Sequence, residues 1–297
     1  MMNGFIVVDK PAGMTSHDVV ARVRRILKMK KVGHTGTLDP FATGVLPVAL
    51  GEGTKAIPYL DEGIKEYRAV MMLGVATDTE DLEGSVIRER PLDGITEASI
   101  RETLSHFTGI LSQIPPMYSA LKQNGVPLYK LARKGEVVER QPRRITIYSL
   151  LIDSIELPLV AFTVRSSRGT YVRSLARDMG ELLGCGAHLT ALRRTESGPF
   201  RLEQARTLEQ LADEAAAGPE RVGIVSLNVA LAHLPRLELT PEGERRVRNG
   251  ISPLAGDLVE PLQQFAPEQK VVLLRDGVIV AVAEAQDEKV MIVRGFQ

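Results

Sequence analysis

Apolar positions along the chain predict short strands and amphipathic helices in irregular alternation. Residues 5–8 form an apolar run that is typical of a buried strand. From Val19 to Leu27 the apolar residues recur at helical spacing, and Thr15 or Ser16 stands where a helix cap is expected. The same criteria predict helices over 96–107, 128–134, 170–183 and 211–217.

Apolar runs of five to ten residues predict the strands of the same region. They cover 65–73, 145–152 and 159–166, and a shorter strand is expected over 86–88. The segment 113–122 is long and irregular. Because strands and helices follow each other without a regular strand–helix–strand repeat, the pattern favours an α+β fold over a doubly wound sheet.

The pattern changes near residue 235, beyond which we expect strands to the end of the chain. Two apolar runs, 271–275 and 278–283, flank Asp276-Gly277, a dipeptide typical of a two-residue hairpin turn. Residues 289–293 supply a third strand. We therefore predict a main domain over 1–232 and a small β-rich domain over 233–297.

Composition narrows the class of protein without identifying it. The chain has 297 residues, 44% of them hydrophobic, with 37 basic and 37 acidic side chains. No apolar run is long enough to span a bilayer, and the N-terminus lacks the features of a signal peptide, so we expect a cytoplasmic protein. The single Cys185 excludes an internal disulfide, and the spacing of a zinc site is missing.

Charge is unevenly distributed although the formal net charge is zero. Six basic residues and no acidic one lie between Arg22 and Lys31, and further basic clusters follow near residues 130–144, 165–177, 193–194 and 245–248. Such stripes can contact the phosphates of a polyanion, although any one of them is also compatible with a solvated helix face.

The run 33–40 contains the first candidate for chemistry. It places the carboxylate of Asp39 between two glycines and Pro40, in a segment that proline biases away from helix. An ordinary turn is the competing interpretation. Three further candidates are Tyr67 in a predicted strand, Arg173 in the first turn of a helix after a glycine, and Leu192 in an apolar segment before two arginines; each could equally be structural.

Several other chemistries fit poorly. The chain has no P-loop or dinucleotide-binding fingerprint, and Phe41 stands where an aspartyl phosphatase has its second aspartate. The acidic residues between Asp78 and Glu83 lack the ligand spacing of a calcium loop.

Taken together, the motifs resemble those of a known family, the TruB family of bacterial tRNA pseudouridine-55 synthases. The resemblance extends over about residues 4–210. The motifs occur in this order: Lys10-Pro11-x-Gly13-Met14-x-Ser16, Gly33-His34-Thr35-Gly36-Thr37-Leu38-Asp39-Pro40, Thr77-Asp78-Thr79-x-Asp81, Ile114-Pro115-Pro116-Met117-Tyr118-Ser119-Ala120-Leu121-Lys122, and Gly169-Thr170-Tyr171-x-Arg173.

The resemblance implies a fold and an activity. The fold is a mixed, largely antiparallel sheet flanked by helices, with an RNA-clamping insertion at about 108–144 and a C-terminal PUA-like RNA-binding domain. The activity is isomerisation of a flipped-out uridine in the T-loop of tRNA, without cofactor or metal. It also implies no obligatory protein partner, and we expect a monomer that binds the T-arm stem-loop.

The resemblance also assigns roles to residues. Asp39 is implied as a nucleophile that attacks either C1′ of the ribose or C6 of the base, with Arg173 expected to keep its pKa low. Tyr67 is expected to stack on the uracil and to offer a hydroxyl near the carbon that loses its proton. The remaining expected substrate contacts are His34, Tyr171, Leu192 and Lys10.

Two alternatives stay open at this point. One is a tRNA-binding protein that folds RNA and has lost catalysis, against which the intact Asp39, Tyr67, Tyr171 and Arg173 count. The other is a related synthase that is guided by a separate RNA and by partner proteins, although the chain lacks the basic tails expected there.

Overall fold

The structure is a computed structural model that describes residues 2–61, 63–260, 265–266, 268–286 and 289–296. The strands are β1 (Gly4–Lys10), β2 (Val32–His34), β3 (Thr43–Leu50), β4 (Ile64–Leu73), β5 (Val75–Thr77), β6 (Val86–Glu89), β7 (Gly109–Gln113), β8 (Lys122–Gln123), β9 (Val126–Pro127), β10 (Arg143–Glu156), β11 (Leu159–Ser167), β12 (Ala187–Ser197), β13 (Phe200–Arg201), β14 (Arg236–Glu238), β15 (Lys270–Arg275), β16 (Val278–Gln286) and β17 (Lys289–Gly295). The helices are α1 (Ser16–Ile26), α2 (Gly53–Ala56), α3 (Glu97–Ser105), α4 (Leu128–Ala132), α5 (Val172–Leu182), α6 (Leu208–Ala217), α7 (Leu227–Ala230) and α8 (Pro241–Arg248).

One large sheet organises the first two thirds of the chain. Its strand order is β1-β3-β12-β4-β11-β10-β7, with β2 paired to β3 and β13 to β12. Neighbours are antiparallel except β12 and β3, which run parallel. The predicted α+β class and the largely antiparallel sheet are therefore confirmed.

The helices expected from apolar spacing form and cover the sheet. Helix α1 begins after Thr15, whose side chain accepts from the backbone of Asp18 in a capping box. Apolar residues of α1, α3, α5 and α6 join those of β3, β4 and β11 in one buried cluster. Hydrophobic burial thus fixes α5, and with it Arg173, against the central strands.

Strand β12 was not predicted from the sequence, although it lies inside the sheet between β3 and β4. It contains Arg194, which is fully buried, and the two adjacent arginines mask the alternation by which a strand is recognised. The guanidinium is accommodated because its Nε donates to the carbonyl oxygen of Val45 (2.7 Å) and its Nη2 to that of Gly36 (3.1 Å).

The C-terminal residues form a separate sheet of order β14-β15-β16-β17. The expected hairpin is present, and its turn residues Asp276 and Gly277 have φ of 50° and 73°, as a type I′ turn requires. The prediction of strands throughout was wrong at α8, which Thr240 caps and Pro241 begins. This helix buries only Gly243 and Val247 among many charged residues, so its apolar pattern is too weak to read.

The small sheet packs against the large one through a second apolar cluster. Phe5 and Val45 from β1 and β3 join Val272 and Phe296 in this cluster. The boundary between 232 and 233 stays a prediction. None of the described helices combines the length and apolar character needed to cross a membrane.

Candidate active site

Asp39 lies on an irregular loop between β2 and β3 that side chains hold in place. The backbone N–H of Leu38 donates to Oγ of Ser16 at the start of α1 (2.9 Å), and the N–H of Gly13 donates to the carbonyl of Pro40 (2.9 Å). Leu38 itself is buried in the core. The carboxylate is therefore presented from a backbone that is tied down on both sides, as proline after aspartate favours.

Lys10, which we expected among the substrate contacts, lies beneath this loop and does not line the cavity. Its side chain is fully buried, and Nζ donates to the carbonyl oxygens of Pro11 (2.8 Å), Pro40 (3.0 Å) and Ala42 (2.7 Å). Burial lowers the pKa of Lys10 from 10.5 to about 8, against the opposing charge of Asp39. The geometry gives Lys10 the task of holding the Asp39 loop.

Arg173 forms a two-point ion pair with Asp39. Its Nε lies 2.9 Å from Oδ2, and its Nη2 donates to Oδ1 at 3.2 Å. Arg173 is the second residue of α5, which follows a turn at Gly169 with φ of 83°. The arginine is 3% exposed, whereas 33% of the Asp39 side-chain surface remains open. The carboxylate therefore faces the cavity while the guanidinium stays behind it.

Asp81 fixes the other side of the Arg173 guanidinium. Nη1 of Arg173 lies 3.1 Å from Oδ2 of Asp81 and donates to the carbonyl of Thr79 at 2.8 Å. The hydroxyl of Thr79 in turn donates to Oδ1 of Asp81 at 2.6 Å. One buried cation is thus shared by two carboxylates, which orients it for Asp39.

The charge balance of this cluster overturns one expectation. We expected Arg173 to hold the pKa of Asp39 low, but burial raises the pKa above its ordinary value. Arg173 opposes the shift and the nearby negative charge of Asp81 adds to it. The carboxylate remains an ion-pair partner of Arg173, and its proton is held more tightly than that of an exposed aspartate.

A cavity of about 240 Å³ opens in front of Asp39. Tyr67 of β4 and Leu192 of β12 form one wall, and Tyr171, immediately before α5, forms another. Tyr67 and Leu192 are 8% and 7% exposed, so both side chains are largely buried in the protein where they line the cavity. The structure thus brings Asp39, Tyr67, Tyr171 and Leu192 together, with Arg173 beside them.

The irregular segment after β7 closes the remaining side of the cavity. Ser119 and Ala120 line it, and the carbonyl of Tyr118 accepts from Nη2 of Arg173 at 2.8 Å. Just before this segment, the side-chain amide of Gln113 makes two hydrogen bonds with the backbone of Tyr171, of 2.9 and 3.1 Å. The insertion therefore contacts the same residues that surround Asp39.

His34 lies outside the cavity lining, at the end of β2. Its ring packs edge-on against His17 of α1, with centroids 5.1 Å apart and planes at 84°. Burial and the charges of His17 and Arg194 lower the pKa of His34. A neutral, half-buried ring of this kind is suited to stacking.

The part of the chain that the structure describes contains no cluster of three or more His, Cys, Asp or Glu side chains arranged to hold a metal ion. Two residues of the site, Asp81 behind Arg173 and Lys65 in the cavity lining, were not singled out from the sequence. Asp81 was visible only as part of the Thr77–Asp81 motif, and Lys65 only as a neighbour of Tyr67, because their places in the site depend on tertiary packing.

The sequence matches two family models. The first is described as TruB family pseudouridylate synthase (N terminal domain) and matches residues 24–172; the second is described as tRNA pseudouridylate synthase B C-terminal domain and matches residues 173–229. Among similar proteins, tRNA pseudouridine synthase B of Geobacter sulfurreducens is 59% identical over 285 residues, which cover 96% of this chain and 94% of the relative. That of Pseudomonas aeruginosa is 48% identical over 242 residues, covering 80% and 79%.

Solved structures show a similar fold. An H/ACA RNP bound to a substrate RNA containing 2′-deoxyuridine includes a chain with 28% identity and a TM-score of 0.77, covering 99% of this chain and 85% of that one. A Cbf5-Nop10-Gar1 complex gives 30% identity, the same TM-score and the same coverage.

Proposed function

Because the chain belongs to the TruB family of pseudouridylate synthases and is an enzyme that isomerises uridine to pseudouridine in tRNA, we propose that its target is a uridine of the T-loop (position 55) and that Asp39 is the nucleophile. One observation carries the proposal: the carboxylate of Asp39 is paired at two points with Arg173 and faces a cavity walled by Tyr67 and Leu192.

The ion pair explains how Asp39 attacks. Burial disfavours the ionised carboxylate, and Arg173 restores part of that loss by its charge. The open part of the carboxylate is the part directed to the substrate. Asp39 attacks either C1′ of the ribose, which breaks the N1–C1′ bond and releases the uracil, or C6 of the base, after which the N1–C1′ bond breaks in the adduct. In either case the uracil rotates while the cavity holds it, C5 bonds to C1′, and the bond to Asp39 breaks to regenerate its carboxylate.

Tyr67, Tyr171 and Leu192 confine the base during this rotation. The aromatic face of Tyr67 offers a surface on which the uracil stacks, and its hydroxyl is the candidate to relay the proton that leaves C5 toward N1, which has lost its bond to C1′. Because these walls exclude water, hydrolysis of the glycosyl or base adduct is slowed. No step needs electron transfer or a Lewis acid, so we propose that the reaction is cofactor-free.

The RNA is recognised outside the cavity. The target base is flipped out, His34 stacks within the opened loop, and the insertion after β7 clamps the T-arm. The basic clusters contact phosphates, and the C-terminal sheet with α8 acts as a PUA-like RNA-binding domain. We propose that a monomer does this in the cytoplasm without a protein partner.

The nucleophile is tested with Asp39→Asn. We expect this variant to lose pseudouridine formation while its affinity for a T-arm RNA stays near that of the wild type. The matched control is Asp153→Asn, since Asp153 is an exposed carboxylate of β10 outside the cavity. Turnover by Asp39→Asn would contradict the assignment of the nucleophile.

The target and the independence from partners are tested together. The purified chain is incubated with one unmodified tRNA transcript, with and without EDTA, and pseudouridine is mapped by position. We expect modification at position 55 in both samples. A product elsewhere, or activity only after protein or guide RNA is added, would overturn this part of the proposal.

A further inference from the structure

Lys65 is a second cation in the wall of the catalytic cavity, and no role has yet been given to it. It lies in β4 two residues before Tyr67, so both side chains project from the same face of the strand about 7 Å apart. Tyr67 faces the base. Lys65 is therefore displaced from the base by roughly the length of a ribose.

Arg194 brings a second positive charge to the same place. A Cβ built on Gly36 would lie 3.1 Å from Nζ of Lys65 and 3.6 Å from Nη1 of Arg194, so both groups approach this glycine. Arg194 is fully buried, and its Nη1 has no hydrogen-bond partner among the residues that the structure describes. Two cations this close repel each other, and an anion beside them would convert the repulsion into attraction.

The surroundings of Lys65 are polar rather than apolar. In the sheet it stands directly opposite Ser166 of β11 and Ser197 of β12, so the three side chains share one face. Both serines are fully buried, and neither hydroxyl has a partner within the described chain. Buried polar groups without partners are rare in proteins, so this end of the sheet is built for a polar ligand.

Arg173 is not the cation that serves such a ligand. Its guanidinium already contacts Asp39, Asp81 and two backbone carbonyls. The positive charge of Arg173 is thus balanced by two carboxylates of the site. The positive charges of Lys65, in the cavity lining, and of Arg194 instead approach each other beside Gly36.

We propose that Lys65, supported by the charge of the buried Arg194, forms an anion subsite that binds a backbone phosphate of the flipped-out target nucleotide. The inference rests on the proposed function, because it assumes that the uracil packs on Tyr67 and that the ribose lies at Asp39. An ammonium group binds phosphate as a point charge and needs no fixed orientation. Lys65 also makes a further contact in the free protein, so the phosphate competes for its ammonium group.

This subsite fixes the position of the ribose relative to Asp39. A nucleotide held at its base alone can still rotate about the glycosidic bond and move its ribose. A second contact at the phosphate removes that freedom and places the reacting carbon against the carboxylate. Lys65 therefore acts on both binding and the rate of the bound complex.

The test combines a protein change with a change in the RNA. Lys65→Met is compared with the wild type on T-arm RNAs that carry a neutral methylphosphonate at the linkage 5′ of the target uridine, 3′ of it, or at a remote loop linkage. Arg68→Met is the matched control, because it removes one charge from the same strand but from the exposed face. Binding and single-turnover rate are both measured, and circular dichroism checks folding.

We expect Lys65→Met to lower kcat/KM by about tenfold on unmodified RNA, as loss of a charge-assisted contact does. For the wild type, a methylphosphonate at one of the two linkages adjoining the target should also lower kcat/KM by about tenfold. For Lys65→Met, the same methylphosphonate should cause no further loss of kcat/KM. Lys65→Arg should restore part of the loss. In the Arg68→Met control, the methylphosphonate at that linkage should lower kcat/KM by the same factor as in the wild type.

The proposal would be overturned if, at both adjoining linkages, the methylphosphonate lowered kcat/KM of Lys65→Met by the same factor as that of the wild type. It would also be overturned if Lys65→Met had the kcat/KM of the wild type. If Lys65→Met does not fold, Lys65→Gln replaces it in the same comparison. Failure of the proposed function is a separate result, since the wild type would then leave the T-loop uridine of the unmodified RNA unchanged.

Discussion

Replacing Lys10 by methionine is the sharpest test of how the Asp39 loop is held. The substitution removes one buried ammonium group and the donors for three carbonyl oxygens. A hydrogen bond from a charged donor contributes about 1.5–3 kcal/mol, so the three bonds, of which the one to Ala42 is buried and the other two are partly buried, contribute about 6 kcal/mol in total. These losses fall on Pro11, Pro40 and Ala42, which flank the catalytic loop.

A compensating gain reduces this cost near neutral pH. The pKa of Lys10 is lowered from 10.5 to about 8, so carrying its charge costs the folded state about 3 kcal/mol at roughly 1.4 kcal/mol per pKa unit. Methionine avoids that cost. We therefore expect Lys10→Met to be less stable than the wild type by about 3 kcal/mol at pH 7.

The pH dependence has a definite sign. Between about pH 8 and pH 10.5 the native protein has released the Lys10 proton while the unfolded chain still holds it. Because the unfolded state binds more protons, the wild type gains stability relative to Lys10→Met as the pH rises through this window. The difference in the free energy of unfolding should grow from about 3 to about 6 kcal/mol.

Urea unfolding of both proteins at about pH 7 and about pH 10 measures this difference. Lys30→Met is the control, since it makes the same substitution at an exposed lysine. A gap between wild type and Lys10→Met that stays constant or narrows as the pH rises would refute the reasoning.

Three further predictions concern catalysis and RNA binding. For the wild type, the rate should fall as the pH drops through the raised pKa of Asp39, at a higher pH than an ordinary aspartate would give, which a pH–rate profile checks. Asp81→Asn should shift this acidic limb of the profile to lower pH, because the charge of Asp81 raises the pKa of Asp39. Its kcat should fall at least tenfold, because Arg173 loses its ion pair with Asp81. An unchanged kcat together with an unchanged acidic limb would contradict this prediction. The affinity for tRNA should fall steeply with salt, and a flat plot of log Kd against log salt would exclude the phosphate contacts that we assign to the basic clusters.

The sequence pattern was sufficient to predict helices that bury one face and turns whose residues specify their own conformation. Helix α1 shows both its apolar stripe and its cap in sequence, and the Asp276-Gly277 turn is specified by residues that accept positive φ. Strand β12 was missed because its two adjacent arginines mask the alternation, and helix α8 because it has too few apolar positions. In β12, Arg194 is buried only because Val45 and Gly36 accept its N–H groups.

In the candidate site, too, some features could be predicted from the sequence and others depend on the folded chain. Asp39, Tyr67 and Arg173 can be singled out from the sequence, yet the direction of the Asp39 pKa shift depends on how deeply the folded chain buries the carboxylate. Charge pairing can be guessed from a list of residues. The desolvation that outweighs it here exists only in the folded chain.

Arg173 shows why the site depends on the whole fold. Its guanidinium contacts Asp39, which is 134 residues away in sequence, Asp81 at a separation of 92, and the carbonyl of Tyr118 at 55. The Tyr118 contact comes from the insertion that we propose clamps RNA. With the insertion lying against α5, the carbonyl of Tyr118 accepts from Nη2 of Arg173 and helps to hold the guanidinium beside Asp39. When it moves away, one donor of a buried guanidinium loses its partner, which favours the closed arrangement. We therefore expect the proposed clamping of the RNA and the orientation of Asp39 to be coupled through this one side chain.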